Sequence, residues 1–138
     1  MANALYPTFK RALLNKEHNL DTDAIKATLI DSADESYTST DDTYVAGANG
    51  IADAAKVAVS STLTTSTIAL GVFDTDNFTW TAVSGDVSEA ILLWNDTPTT
   101  PTADPVIAWY DTGMTGMPVT PNSGDINVTV NGSGWFAL

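Results

Sequence analysis

Cysteine is absent from this sequence. That excludes a disulfide framework, a thiolate nucleophile and any cysteine-ligated zinc, so stability must come from packing or subunit contacts. Histidine is nearly absent as well. His18 stands alone in the polar stretch Asn15-Lys16-Glu17-His18-Asn19, reads as an exposed surface imidazole, and leaves nucleophilic catalysis without an obvious base near neutral pH. Basic residues are scarce: five Lys and Arg stand against 17 Asp and Glu, for a net charge of −12. All five, Lys10, Arg11, Lys16, Lys26 and Lys56, precede residue 57. Such a balance argues against direct contact with nucleic acid, and with no glycine-rich phosphate cradle it argues against phosphoryl transfer. No apolar run approaches the length of a membrane span, and Met1 to Pro7 lacks the charged start, apolar run and cleavage site of an export signal.

What remains is a threonine-rich chain of 138 residues, of a length for one core. Branched Cβ atoms favour extended backbone, so an acidic, Thr-rich chain reads as β structure. Apolar runs bounded by turn residues predict strands at Asp23 to Asp31, Lys56 to Ser60, Thr67 to Phe73, Phe78 to Val83, Ser88 to Trp94, Val106 to Tyr110, Ile126 to Val130 and the terminal Gly134 to Leu138. The run Ala90-Ile91-Leu92-Leu93-Trp94 is apolar at both parities, which places it centrally with both faces covered. Ser32 to Gly50 reads as a loop, with Thr40-Asp41-Asp42 able to cap a short helical turn through Tyr44 and Val45, and Thr97 to Pro105 reads as an exposed Pro-rich loop. The stretch Val72 to Asp111, holding three of the four tryptophans, reads as the central sheet. About eight strands at short spacing predict a mainly β, single-domain β-sandwich or jelly-roll-like fold.

One helix is expected, over residues 4 to 15. Leu5, Phe9 and Leu13 recur at four-residue spacing and Pro7 suits a first turn. Two arrangements follow: a helix closing one end of the β core, or a basic arm of residues 1–16 standing off a β-sandwich body of residues 17–138 and docking on an acidic partner. On the arm reading Leu5, Phe9, Lys10, Arg11 and Lys16 are the partner-binding residues.

No residue set here names a reaction. Paired carboxylates for sugar hydrolysis can be nominated among Asp74, Asp76, Asp86, Glu89, Asp96 and Asp111, but most of these sit at turns, where Asp is a common turn former; Glu89, opening an apolar strand, is the exception. Asp74-Thr75-Asp76-Asn77 offers oxygen ligands for Ca²⁺ but lacks the glycine and distant Glu of an EF-hand, so it reads as a hairpin turn. Trp80 and Trp94 read as core, and Trp109 and Tyr110 beside the Pro-rich loop could face a glycan. The expectation is a non-enzyme without cofactors.

The order of the segments LYPTFKRALL, IKATLIDSAD, GVFDTDNFTWTAVSGDVSEAILLWND, read as a hairpin, and PVIAWYDTGMTGMPVTPNSGDINVTV, with a short apolar terminus, resembles a family of small proteins encoded among the head genes of tailed bacteriophages. The match runs over nearly the whole chain and departs around Tyr44. The resemblance implies a virion component made in the host cytoplasm and placed on the capsid surface. Its expected role is decoration, or cement, with the major capsid protein as partner and a homo-oligomer, often a trimer, as the working form. A tail- or fibre-associated module recognising a host glycan is the alternative.

Overall fold

The computed structural model describes residues 3–97 and 103–138. It is mainly β, with one short helix near the N-terminus. In chain order the elements are β1 (Ala4–Leu5), α1 (Pro7–Leu14), β2 (Ile25–Ile30), a 3-10 turn at Asp53–Ala55, β3 (Lys56–Val59), β4 (Thr67–Ala69), β5 (Val72–Asp74), β6 (Phe78–Trp80), β7 (Ala90–Asn95), β8 (Val106–Tyr110), β9 (Ile126–Val128) and β10 (Phe136–Ala137).

The main sheet is antiparallel, in the order β1-β8-β7-β2-β3. Its centre follows from side-chain chemistry. β7 and β8 are apolar at odd and even positions alike, so neither face can meet water, and every residue of both strands is buried. β2 pairs with β7 without a break from Ile25 opposite Asn95 to Ile30 opposite Ala90. β3, which carries Lys56 and the exposed Val59, lies at the edge. Two smaller antiparallel sheets, β10-β5-β4 and β6-β9, send Phe73 and Trp80 into the same core, consistent with a β-sandwich.

Three expectations about pairing change. Thr67 to Phe73 is not one strand but a hairpin, β4 to β5, turned at Leu70 and Gly71 with φ of 53° and 80°. A two-residue turn with both φ positive normally signals itself by Asn-Gly or Asp-Gly, and Leu-Gly hides it. The Val72 to Asp111 stretch does not form a single sheet: β5 pairs with β4 and β10, and β6 pairs with β9, placing Trp80 opposite Ile126. Accordingly β6 and β7 are not a hairpin, since β7 pairs with β2 and β8. Around Tyr44 there is no helical turn; Asp42 N–H donates to Asn49 O at 2.9 Å, and Thr43 bridges Gly50 and Pro105. Of the Pro-rich loop, residues 98–102 lie outside the described residues.

The N-terminal segment is also corrected. The helix starts at Pro7, as its ring favours, but Ala4 and Leu5 are extended and pair with Trp109 and Ala108 of β8. Tyr6 N–H continues that ladder to Ile107 O at 3.0 Å. Tyr6 is fully buried, Phe9 is 1% exposed and Ala12 is buried. Phe9 packs edge-on against Phe136, with ring centroids 5.7 Å apart. Residues 3–16 thus supply an edge strand and a lid to the core, and are not an arm separable from a 17–138 body. The apolar C-terminus is held too: Phe136 and Ala137 pair with Phe73 and Val72, and the Trp135 indole N–H donates to Thr75 Oγ1 at 2.8 Å.

Candidate docking face

α1 and the residues just after it carry cations that have no acidic partner among the described residues. Lys10, Arg11 and Lys16 are exposed, and the lysine ion pairs among the described residues are Lys26–Asp96 and Lys56–Asp53. Lys16 ends the helix in the left-handed region, φ 61°, a position more often given to glycine. Of the five partner-binding residues expected from sequence, these three are therefore free to meet a partner. Leu5 is half-buried in β1, and Phe9 is committed to the core, so it cannot take part.

Three leucines are exposed as well. Leu14 at the end of α1 is 86% exposed, Leu138 71%, and Leu70 at the β4–β5 turn wholly so. Leu138 N–H donates to Gly71 O at 3.0 Å, which sets the C-terminus against the β4–β5 hairpin turn. Between α1 and this sheet lies a cavity of about 150 Å³, lined by Leu13, His18, Leu20, Ile68, Phe73 and Phe136 among others. No contiguous run of sequence announces these residues, because they come from α1, a disguised hairpin turn and the terminal Leu138.

His18 is not the surface imidazole expected. Its side chain is 1% exposed and lies against the Phe9 ring at 5.4 Å. The buried Asn95 amide holds it: Nδ2 donates to Asp23 Oδ2 at 2.7 Å and lies 3.0 Å from His18 Nδ1. Nδ1 therefore accepts, the ring proton sits on Nε2, and Nε2 is buried without a partner among the described residues. Burial lowers its pKa, against the opposing charges of Asp23 and Glu17. The imidazole is a neutral structural element here, sealing α1 to the sheet.

Four of the carboxylates nominated for chemistry act as local hydrogen-bond acceptors. Glu89 Oε2 accepts Ser32 N–H at 2.9 Å, Asp76 Oδ2 accepts the Thr65 hydroxyl at 2.5 Å, Asp74 Oδ1 accepts Thr75 N–H at 2.9 Å, and Asp111 Oδ2 accepts the Trp109 indole N–H at 3.0 Å. Among the described residues no three His, Asp or Glu side chains stand close enough to hold a metal ion, and no helix is long and apolar enough to cross a membrane. Trp80 and Trp94 are core, as expected. Trp109 and Tyr110, the residues offered for a glycan, are core as well: Trp109 is 1% exposed, and the Tyr110 hydroxyl donates to Trp135 O at 2.8 Å. They sit in β8, covered on both faces, so no sugar can stack on them.

One acidic group beside the N-terminal segment is under strain of burial. Asp41 O accepts the Thr8 hydroxyl at 3.1 Å, but Asp41 Oδ2 is buried without a partner among the described residues. Desolvation, reinforced by the charge of Glu35, pushes its carboxyl up to about 6. A folded-state value above the unfolded one means that the folded chain binds the proton more tightly. The contribution of Asp41 to stability therefore grows as pH falls from about 7 towards 4 and is lost as pH rises through 6. Asp41→Asn is expected to raise stability at pH 8 by about 1–3 kcal/mol, the cost of an uncompensated buried polar group, and to remove most of that gain at pH 4.5. His18 acts in the opposite sense, destabilising as pH falls below its ordinary value of 6.5. It is common to both proteins, so the difference between their thermal melting curves isolates Asp41; an unchanged difference from pH 8 to 4.5 would contradict the assignment.

Compared with models of known protein families and with curated proteins, the sequence matches no family and no relative.

Proposed function

We propose that this protein is a structural virion component of a tailed phage that binds the outside of the capsid and stabilises the shell, with the major capsid protein as partner and a homo-oligomer, a trimer, as the working form. The observation that carries the reading is the separation of charge. A chain of net charge −12 presents Lys10 and Arg11 on α1 and Lys16 just past its end, with no acidic partner among the described residues and with the exposed Leu14 between them. An acidic, apolar-flanked surface would meet that face while the rest of the protein stays outward and repels further association. A clip on a pressurised shell needs a covered β core and a docking face, and no reacting groups. The segment order that resembles phage head-gene products supports the same reading.

Imaging of purified virions tests location and copy symmetry together, and absence of the protein from particles would reject the proposal. The docking face is tested separately. Lys10→Glu, Arg11→Glu and Lys16→Glu combined change exposed side chains only, so melting should stay within a few degrees of the native chain while co-sedimentation with shells weakens by roughly tenfold or more at low salt. Attachment of the triple variant at native strength would place the docking face elsewhere.

A further inference from the structure

Two asparagine-glycine pairs stand in the chain, Asn49-Gly50 and Asn131-Gly132. Asparagine is chemically labile because the backbone nitrogen of the next residue, once deprotonated, attacks its side-chain carbonyl carbon; glycine, with no Cβ, hinders that nitrogen least. The fold treats the two pairs differently.

At the first pair the nitrogen is engaged. Gly50 N–H donates to Gly47 O at 3.1 Å, and Asn49 O accepts the N–H groups of Asp42 and Thr43 at 2.9 and 3.4 Å. A Cβ on Gly50 would run into Val45 O, so the backbone there is closely packed. At the second pair Asn131 and Gly132 are both exposed, a Cβ on Gly132 would meet nothing within 4 Å, and the Gly132 N–H has no acceptor among the described residues. Asn131 opens a turn: its main-chain O accepts Gly134 N–H at 2.7 Å, and its side-chain Oδ1 accepts Ser133 N–H at 2.9 Å. The ring closed by that second bond contains both Asn131 Cγ and the Gly132 nitrogen. It folds the carboxamide back towards the Gly132 peptide and draws electron density from Cγ. Asn122 makes the same turn, Oδ1 to Gly124 N–H at 3.0 Å, but the nitrogen between them, that of Ser123, donates to Val83 O at 2.7 Å.

We infer that Asn131 is a site of base-catalysed self-modification, in which the Gly132 nitrogen closes a succinimide on Asn131 Cγ and water reopens it to a carboxylate. Hydroxide takes the Gly132 proton, the N–Cγ bond forms, the Cγ–Nδ2 bond breaks, and the departing nitrogen takes a proton from water to leave as ammonia, which restores the hydroxide. Water then cleaves the ring at Cγ, giving an aspartate, or at the main-chain carbonyl, giving an isoaspartate whose backbone runs through the former side chain. Either product adds one negative charge to a chain already at −12. Isoaspartate also lengthens the main chain by one methylene between two held points: Val130, whose N–H donates to Asn77 Oδ1 at 2.8 Å, and Trp135, whose N–H donates to Phe73 O at 2.8 Å. Gly134 between them has little slack, since a Cβ there would lie 2.6 Å from Phe73 O. β10 is therefore the element that the longer chain disturbs. The site stands or falls without the α1 face.

The test incubates the full chain at mildly alkaline and mildly acidic pH beside a synthetic peptide of residues 127–138, with chymotryptic mapping by mass spectrometry. Asn131 is expected to convert first, faster at the alkaline pH, and at least about tenfold faster than Asn49, whose reaction requires its loop to open and its hydrogen bond to break. Gly132→Ala has room for its methyl and a φ outside the left-handed region, so it should fold as the native chain does and lose the early conversion at Asn131. The isoaspartyl form, purified by ion exchange, should melt below Asn131→Asp, which carries the same charge on an unlengthened chain; equal melting would overturn the effect on β10. An Asn131 still intact in the folded chain after the peptide has converted overturns the inference, as does conversion of Asn49 at an equal or greater rate.

Discussion

A chain that begins at Glu17 is expected to lose its cooperative unfolding transition. Sequence periodicity alone admits the opposite result, a stable body left after a basic arm is removed, because Leu5, Phe9 and Leu13 could as well be anchors for a partner as for a core. The structure assigns them differently. Removing residues 1–16 takes away β1 and with it the pairing of Ala4 and Leu5 on β8, leaving that fully buried strand as a bare edge. It also removes Tyr6 and Phe9, 0% and 1% exposed. Truncating one buried Phe alone costs about 3–5 kcal/mol, and domains hold only about 5–15 kcal/mol in total. Loss of both rings, the lid over His18 and one strand therefore exceeds what the rest can carry, and the bare, flat β8 edge would promote aggregation. Circular dichroism and a thermal melt decide it: a sharp transition within a few degrees of the native chain would show that the segment is dispensable. Phe9→Ala offers a graded version, with a lowered midpoint in place of collapse. The truncation also removes Lys10, Arg11 and Lys16, whereas Phe9→Ala leaves these exposed cations in place and their reversal leaves the core intact. Loss of attachment through unfolding and loss through charge are thus separable.

The contrast shows which features a sequence of this kind reveals. β7 and β8 are legible because a five-residue run apolar at both parities has one stable solution, a covered central strand. β3 is legible as a short strand from Lys56 to Ser60, but its edge position is not, since Lys26 lies in β2, which is paired on both sides. Partners are not legible: the alternation of Phe78, Thr79 and Trp80 announces a strand with one buried face, but the residues that complete its ladder, Ile126 to Val128, lie more than forty positions away. Leu70 conceals a turn because its side chain says nothing of the left-handed backbone it adopts. His18 misleads because its sequence neighbours are polar, while the atoms that bury it, from Phe9 and Asn95, arrive through the fold. The proposed docking face is half legible. Its cations follow from charge counting, whereas Leu70 and Leu138 come together only in three dimensions.

The second large effect is expected at Trp94. In β7 it stands directly opposite Lys26 of β2, and its indole N–H donates to Thr28 Oγ1, on the same face of β2, at 2.9 Å. Tyr44, from the long Ser32 to Gly50 loop, lies flat on it, with centroids 3.9 Å apart and planes within 2°. Lys56 Nζ sits 4.3 Å from the Tyr44 centroid and Lys26 Nζ 5.6 Å from that of Trp94. The two lysines of the body thus bracket an aromatic pair, each also held by a carboxylate, Asp53 at 2.6 Å and Asp96 at 2.7 Å. Burial raises the Tyr44 phenol above its ordinary value, so the ring stays neutral and its electron-rich face remains available to Lys56. Trp94→Ala removes a buried indole, takes one hydrogen-bond partner from the fully buried Thr28 hydroxyl and frees the loop, and is expected to cost about 3–5 kcal/mol. Trp94→Phe keeps a ring for Tyr44 and loses only the N–H, so about 1–2 kcal/mol is expected. With Tyr44→Ala as the partner variant, a double-mutant cycle should give a coupling of about 0.5–1.5 kcal/mol for the stacked pair. Proteolysis should then reach residues 38–50 faster in either single variant, because Tyr44 is the loop's aromatic anchor on the sheet. A coupling near zero, with unchanged cleavage of the loop, would mean that the stack is coincidental contact and that Thr43 with Asp42 holds the loop by backbone bonds alone.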